Sequence, residues 1–390
     1  MGEKLDSSKR NVVCLVSAHA RSLVNFRGPL IREMINRGCE VHAVAPDLER
    51  GEFAVILESW GVLTHNIPMS RTGLSPRDDI VTLWSLFRLL RKVSPRKVIF
   101  YNIKPVVYGL VAAWGAGVPE RYAMITGLGY AFTGQASGKR RLVQEVAKRL
   151  YRASLSKAHL VFFQNPDDES LFRELSLLKP AVRSVVVNGS GVDVHYFEQQ
   201  PLPEGGFSFL MLARLLADKG VREYAQASYM IKEEFPSVEF RLAGDFDDNP
   251  DAISLEEVDK WVNDGVIEYL GRIPDVRPAL EGTTVYVLPS YREGTPRTVL
   301  EAMSVGRPTI TTDAPGCRET VEDGVSGFLV PVGSVDALYK KMKFFISHPD
   351  AVEKMATSAR VRAVEKYDVH VVNGVVLDEM GIEDFRGEVA

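Results

Sequence analysis

The chain has 390 residues and a mass of 43.3 kDa, and its 45% apolar and 25% charged residues exclude a disordered chain or a coiled-coil array. The net charge of −4 conceals two halves of opposite sign. Residues 1–190 hold 27 Lys and Arg against 16 Asp and Glu, a net of +11, and the remainder holds 20 against 35, a net of −15, so the first half is suited to an anionic partner.

From the amino end, Lys4, Lys9 and Arg10 precede an apolar run, Val12–Val16, that is too short for a signal peptide, which predicts a cytoplasmic chain. Further apolar runs at Val41–Ala45, Val62–Ile67, Lys97–Tyr101, Tyr122–Ile125, Leu160–Phe163 and Ser184–Val187 alternate with stretches of helical period. That rhythm predicts βα repeats and a doubly wound α/β domain over residues 1–197. The longest apolar stretch, Pro105–Val118, is shorter than the roughly 20 residues of a spanning helix and is broken by Gly109, Gly115 and Gly117. No transmembrane segment is expected.

Ligands of such domains bind at the carboxyl ends of the strands. His19 follows the first strand, Arg27 lies in Phe26-Arg-Gly28 before a helix expected from about Pro29, and Lys104 follows the strand ending at Tyr101. Each either faces a ligand there or is an ordinary strand-end or loop residue. The segment Lys139–Lys157 holds seven Lys or Arg and one Glu, with apolar pairs at helical spacing, and reads as a basic amphipathic helix carrying Arg140, Arg141, Lys148, Arg149 and Arg152. Trp84, Phe87, Arg88, Arg91, Lys92, Arg96 and Lys97 form a second cationic and aromatic cluster. Both suit an anionic inner-leaflet surface, or else pack their apolar faces on the sheet with their charges in water.

Residues 198–206, with Pro201, Pro203, Gly205 and Gly206, read as a linker. Beyond it, strands are expected near Phe207–Leu212, Val238–Ala243, Val266–Leu270, Thr284–Leu288, Thr309–Thr312 and Phe328–Val330, giving a second doubly wound domain over 207–365. The tail, 366–390, is an ambiguous helical segment that could cross back to the first domain. Arg214 and Lys219 lie in Ala213-Arg-Leu-Leu-Ala-Asp-Lys-Gly220, between a strand and a helix from Val221. Two cations at a helix start suit a diphosphate, though Lys219 could merely offset Asp218. In the stretch "LPSYREGTPRTVLEAMSVGRP", Gly294 allows close backbone approach, Thr295 is the expected N-cap and Pro296 the first helical residue. The amino end of that helix would receive phosphate oxygens. Glu293 and Glu301, eight residues apart, flank it as acceptors for sugar hydroxyls, unless one is a solvated loop residue and the other an acid favoured by the helix dipole.

The E-x7-E pair Glu293/Glu301 within "PSYREGTPRTVLEAMSVGRPTITTD", with "ARLLADKG" and "DGVSGFLVPVGSVDAL", resembles the retaining glycosyltransferases of family 4. In the first half, "NFRGPLIREMINRGCEVHAVAPD", "IKPVVYGLVA" and "TGLGYAFTG" are similar to members that extend lipid-linked saccharides for bacterial surface polysaccharides and glycoproteins. The resemblance implies the GT-B fold, two Rossmann-like doubly wound domains facing each other across a cleft. It implies that Arg214 and Lys219 hold the donor diphosphate, Glu293 the sugar hydroxyls and Glu301 the ribose. Gly294, Thr295 and Pro296 would bring backbone amides to phosphate or sugar, and Arg272 and Ile273, in Gly271-Arg-Ile273, would contact uracil unless that loop is structural. The acceptor side would hold His19, Arg27, Lys104, Gly127 and Gly129. Thr126-Gly-Leu-Gly129 stands where a histidine is common in the family, so no histidine is carried over as catalytic.

The implied partners are a UDP-sugar donor, a polyprenyl-diphosphate-linked acceptor and the inner face of the bacterial membrane, with no cofactor and no metal. Three cysteines, Cys14, Cys39 and Cys317, have no metal-ligand spacing and, being odd in number, argue against a disulfide scaffold. No G-x-G-x-x-G follows the first strand and Gly134–Lys139 lacks P-loop spacing, which weigh against an NAD enzyme and an NTPase. Nucleic-acid binding would leave the anion site of the acidic half without a role. A non-catalytic sugar-nucleotide-binding subunit and a nucleotide-sugar epimerase share the architecture and stay open, with the intact pair beside Arg214 and Lys219 favouring a transferase. The sugar expected to be moved is an N-acetylhexosamine.

Overall fold

The computed structural model describes residues 11–49, 51–69, 75–127, 139–247, 249 and 251–383, without the side chains of 139–143. Gly129, the side chains of Arg140 and Arg141, and the charged residues before Asn11 therefore lie outside the described residues.

The chain divides into two compact units, one formed by residues up to Ser190 together with those from Asn373 onward, the other by Gly191–Val372. The first begins with β1 (Val12–Val16), α1 (Ala20–Asn25), α2 (Gly28–Asn36), β2 (Glu40–Ala45), α3 (Glu52–Ser59) and β3 (Leu63–Asn66). It continues with α4 (Pro76–Val93), β4 (Lys97–Tyr101), a π-helical turn at Pro105–Gly109, α5 (Leu110–Ala116) and β5 (Glu120–Ile125). Then come α6 (Lys139–Leu155), β6 (Leu160–Phe163), α7 (Pro166–Glu174) and β7 (Arg183–Val186).

These seven strands form one parallel sheet in the order β3-β2-β1-β4-β5-β6-β7. A parallel sheet covered on both faces needs strands that are apolar on both sides, and VVCLV of β1 meets that need. Val13 and Leu15 enter the core beneath α1, α2 and α3, while Cys14 and Val16 enter the core beneath α4, α5, α6 and α7.

The second unit runs β8 (Ser208–Leu212), α8 (Val221–Glu234), β9 (Glu239–Ala243), α9 (Leu255–Asn263), β10 (Glu268–Tyr269) and α10 (Arg277–Glu281). After these follow β11 (Val285–Leu288), α11 (Arg297–Ser304), β12 (Thr309–Thr312), β13 (Gly327–Val330), α12 (Val335–Ser347) and α13 (Pro349–Tyr367). Its parallel sheet has the order β10-β9-β8-β11-β12-β13. Every strand expected from the apolar runs is present, with ends displaced by two residues or fewer. The shortest, β10, loses Val266 and Ile267 because their N–H groups donate to Trp261 O and close the end of α9.

Residues 198–206 carry no element, but the buried Arg307 anchors their start within the second unit. Its guanidinium donates to the carbonyls of Gln200 and Pro201 as well as to those of Leu280 and Glu281. The change of unit falls at Ser190–Gly191, upstream of those residues. The last helix, α14 (Val369–Glu379), brings the chain back to the first unit from Asn373. There Val376, Leu377 and Met380 join the core and Arg183 pairs with Glu379 at 2.7 Å.

Each sheet has one point where strand order reverses, β1/β4 in the first and β8/β11 in the second. The crevice at the carboxyl ends of such a strand pair is where doubly wound sheets bind ligands.

Candidate active site

In the second unit the loops after β8 and β11 are fastened together. Tyr291 N donates to Asp218 O at 2.8 Å, and the Ser290 hydroxyl oxygen lies 3.1 Å from the same carbonyl. Gly220 has a φ of 75°, and a Cβ on it would stand 2.2 Å from Pro289 O, so only glycine permits this approach. The consequence is that Lys219 Nζ donates to Glu293 Oε1 at 2.6 Å. The Ser290 hydroxyl donates to the same carboxylate oxygen at 2.8 Å. Lys219 and Glu293 are both mostly buried yet reach the surface.

The backbone of Glu293 is held from the other side by the loop after β12. Its N–H donates to Pro315 O at 3.0 Å, and Gly316, at φ 80°, passes so close that a Cβ would be 2.2 Å from Glu293 O.

Helix α11 starts one residue later than its sequence suggests. Pro296 is the N-cap residue, with ψ 107°, and Arg297 is the first helical residue, so Thr295 is not the cap and Pro296 is not inside the helix. The extended ψ of Pro296 is what ends the loop. Proline has no side-chain acceptor for the first-turn N–H groups, which leaves that helix end suited to an anion from outside the chain. Glu301 sits in the second turn, buried, and Arg297 one turn before it forms an ion pair with it at 2.9 Å. Burial pushes its carboxyl up to about 7, against the opposing pull of the Arg297 charge and hydrogen bond.

Arg214 has a side-chain partner other than Lys219 or Glu293. Its guanidinium is exposed and donates to Asp247 at 3.0 Å on the loop after β9. Arg272 is likewise exposed, 3.6 Å from Asp245 on that loop, and Ile273 packs against the core of the unit. The structure therefore joins Lys219, Glu293 and the loop of Gly294 and Thr295 in one place, with Arg214 and Arg272 held by the neighbouring acidic loop. Ser290, Arg297, Asp245 and Asp247 were not singled out in the sequence. Arg297 had a usable signal, since it stands four residues before Glu301 on a helix, the spacing of an ion pair.

At the reversal point of the first unit, the Ser17 hydroxyl donates to Asn102 Oδ1 at 3.1 Å and lies 2.8 Å from the Ser22 hydroxyl, which donates to Tyr101 Oη at 3.1 Å. This network joins the loops after β1 and β4. His19 is the N-cap residue of α1 and half-buried. Arg27, the N-cap residue of α2, is buried with its guanidinium 5.3 Å from the Tyr101 ring centre, and is not an exposed loop arginine. Lys104 donates to the buried Asp79 at 3.0 Å, and Tyr108 donates to the other carboxylate oxygen at 2.7 Å. Gly127 follows β5 and is half-buried.

The two basic segments are not alike. On α6, Lys148 pairs with Glu145 at 2.9 Å, Arg152 donates to Ser176 O and Leu175 O, and Arg149 is exposed. In the second cluster, Lys97 is not a surface cation: it opens β4, is buried, and pairs with Glu120, as does Arg96 at 3.1 Å. Among the described residues no helix is long and apolar enough to cross a membrane, and no group of three His, Cys, Asp or Glu is placed to hold a metal ion.

Residues 26–189 match the family described as Glycosyl transferase 4-like domain, and residues 206–348 match Glycosyl transferases group 1. The chain belongs to these glycosyltransferases. Across 364 residues, 90% of this glycosyltransferase and 93% of its relative, it is 28% identical to the N,N'-diacetylbacillosaminyl-diphospho-undecaprenol alpha-1,3-N-acetylgalactosaminyltransferase of Campylobacter jejuni. It is also 28% identical over 317 residues, 78% of the chain and 79% of the relative, to the UDP-Gal:alpha-D-GlcNAc-diphosphoundecaprenol alpha-1,3-galactosyltransferase of Escherichia coli. The crystal structure of Anabaena HepE in complex with UDP superposes with a TM-score of 0.74 over 95% of this chain and 99% of that one, at 16% identity. That likeness shows the GT-B fold. The enzyme is a glycosyltransferase.

Proposed function

We propose that this glycosyltransferase moves an N-acetylhexosamine from a UDP-sugar to a saccharide carried on polyprenyl diphosphate, with retention at the anomeric carbon and without a metal. The observation that carries the reading is the Lys219–Glu293 contact at the carboxyl ends of β8 and β11. In this reading the lysine is the cation for phosphate and the glutamate the carboxylate for sugar hydroxyls, beside the amino end of α11, whose N-cap Pro296 makes no side-chain cap hydrogen bond. Both enzyme relatives named above carry diphospho-undecaprenol acceptors in their names, which supports the acceptor class.

In this reading residues 207–365 bind the donor. Lys219 and Arg214 stabilise the negative charge that develops on the leaving diphosphate. Glu293 accepts hydrogen bonds from the sugar, Glu301 from the ribose, and Gly294, Thr295 and Pro296 bring backbone against them. Arg272 and Ile273 border the uracil. The bond from the anomeric carbon to the diphosphate breaks and a bond to the acceptor oxygen forms on the same face. The acceptor's proton passes to a donor phosphate oxygen, so no protein base is required. Residues 1–197 bind the acceptor, with His19, Arg27, Lys104, Gly127 and Gly129 on that side. They also hold the enzyme peripherally on the anionic inner face of the membrane, through the basic helix that carries Arg140, Arg141, Lys148, Arg149 and Arg152.

The test is a panel of UDP-sugars measured for binding and hydrolysis, followed by transfer to a short-chain prenyl-diphosphate saccharide. UDP-N-acetylhexosamine is expected to give an α-linked product without added metal. Failure of every UDP-sugar to bind, or an inverted product, overturns the reading.

A further inference from the structure

Helix α4 has a face that sugar transfer does not use. Its inner line, Asp79, Thr82, Leu86 and Leu90, is buried, with Leu86 and Leu90 in the core that Val98 and Phe100 of β4 share. Its outer line runs Arg77, Val81, Trp84, Arg88 and Arg91, at spacings of four and three residues, so these side chains share the opposite face. Ile80, Val81 and Trp84 are 68%, 49% and 56% exposed, and Trp84 stacks on Phe87 with ring centres 5.3 Å apart. Arg77 on one side of them, and Arg88, Arg91 and Lys92 on the other, are exposed.

The neighbouring helices on that side of the sheet continue the surface. Trp114 of α5 is 54% exposed, with the Lys157 ammonium 4.1 Å from its ring centre. Val146 and Leu150 of α6 are exposed beside Arg149. Among the described residues, the acids on this surface are Asp78, at the first turn of α4, and Glu145, which Lys148 neutralises. Beyond α6 the surface changes sign at Asp167, Glu169 and Glu174 of α7.

We infer that the outer face of α4, extended by Trp114, is the part of the enzyme that enters an anionic bilayer. The helix lies along the surface, with Ile80, Val81 and Trp84 below the headgroups and the flanking arginines on lipid phosphates. The pattern is that of an interfacial helix: a short apolar stripe with tryptophan, bracketed by long cations whose charged ends reach outward. A second copy of the chain is disfavoured on this face, because it would set two halves of +11 against each other, whereas anionic lipid complements that charge. The inference rests on the proposed membrane-linked acceptor and gives that reading a docking face, which is α4 rather than the cations of α6 alone.

The experiment uses the full chain with vesicles of phosphatidylglycerol and phosphatidylethanolamine, against phosphatidylcholine alone. Of the four tryptophans, Trp84 and Trp114 are exposed, so lipids brominated along the acyl chain are expected to quench them, and the loss is expected to shrink in Trp84→Phe. Ile80→Ser, Val81→Ser and Trp84→Ser together should lower flotation with anionic vesicles at least tenfold. Transfer to the short-chain acceptor should stay within twofold. Unquenched Trp84 in the wild type, or unchanged flotation of the triple variant, overturns the inference. So does a concentration-dependent dimer that the triple variant abolishes. Loss of short-chain transfer in the wild type would instead count against the proposed reaction, and leaves the quenching result to decide the face.

Discussion

Lys219 and Glu293 meet at 2.6 Å although 74 residues separate them. Each arrives on a loop at the carboxyl end of its strand, β8 or β11, and the two loops are hydrogen-bonded to one another through Asp218 and Tyr291. A cation and a carboxylate held this way, mostly shielded from water, interact more strongly than an exposed pair.

Breaking this contact should separate catalysis from folding. Glu293→Gln or Lys219→Ala is expected to lower the rate of transfer on the order of 10²–10³-fold, the usual effect of losing one positioned electrostatic group. Lys219→Met with Glu293→Gln should unfold closer to wild type than Lys219→Ala does, because no charge is left alone, and yet remain inactive. Thermal unfolding and UDP release measured on the same preparations check this.

Glu301 gives a pH dependence with a definite sign. Burial raises its carboxyl from 4.5 to about 7 in the folded chain, so folding holds a proton that the unfolded chain releases. Its contribution to stability is fully present below about pH 4.5 and is lost as pH rises through 7, a loss of roughly 3 kcal/mol. Glu301→Gln should remove that decline. Urea unfolding of both proteins at pH 5 and pH 8 measures it, and an equal fall in the two would place the proton elsewhere.

Arg307 should be among the most sensitive structural positions in the second unit. It is buried and donates to five carbonyls, that of Gly306 and two on each of the segments Gln200–Pro201 and Leu280–Glu281. Arg307→Met leaves those buried acceptors unsatisfied and should destabilise the fold by ~3 kcal/mol or more. Limited proteolysis around residues 198–206 should accelerate in parallel.

The Lys104–Asp79 pair separates a structural charge from a binding one. Asp79→Ala removes the carboxylate that Lys104 and Tyr108 both donate to, at a loss of ~3 kcal/mol. If Lys104 also meets the acceptor diphosphate, Lys104→Met with Asp79→Asn should fold normally but show a raised KM for the acceptor and an unchanged KM for the donor. Equal KM values in that double variant would make the lysine purely structural.

Local pattern was sufficient for the strands. A parallel sheet covered by helices demands apolar residues on both sides of each strand, and that demand is written in consecutive residues such as Val12–Val16 and Leu160–Phe163. The eight-residue spacing of Glu293 and Glu301 across one loop and one helix was legible for the same reason. The start of α11 was not, because proline at φ −71° suits both a first helical residue and the residue before it, and only ψ distinguishes them.

What the residues alone determined, then, are the elements, their parallel arrangement and the candidate groups at strand ends. Tertiary structure decided which of those groups meet. Strand order set β8 beside β11, so Lys219 found Glu293 while Arg214 found Asp247 one strand away. It also turned Lys97 inward onto Glu120, paired Lys104 with Asp79 and left Trp84 in the open. Periodicity reports which face of an element is buried, but the partner across a gap of dozens of residues depends on sheet order, which no local window of sequence contains.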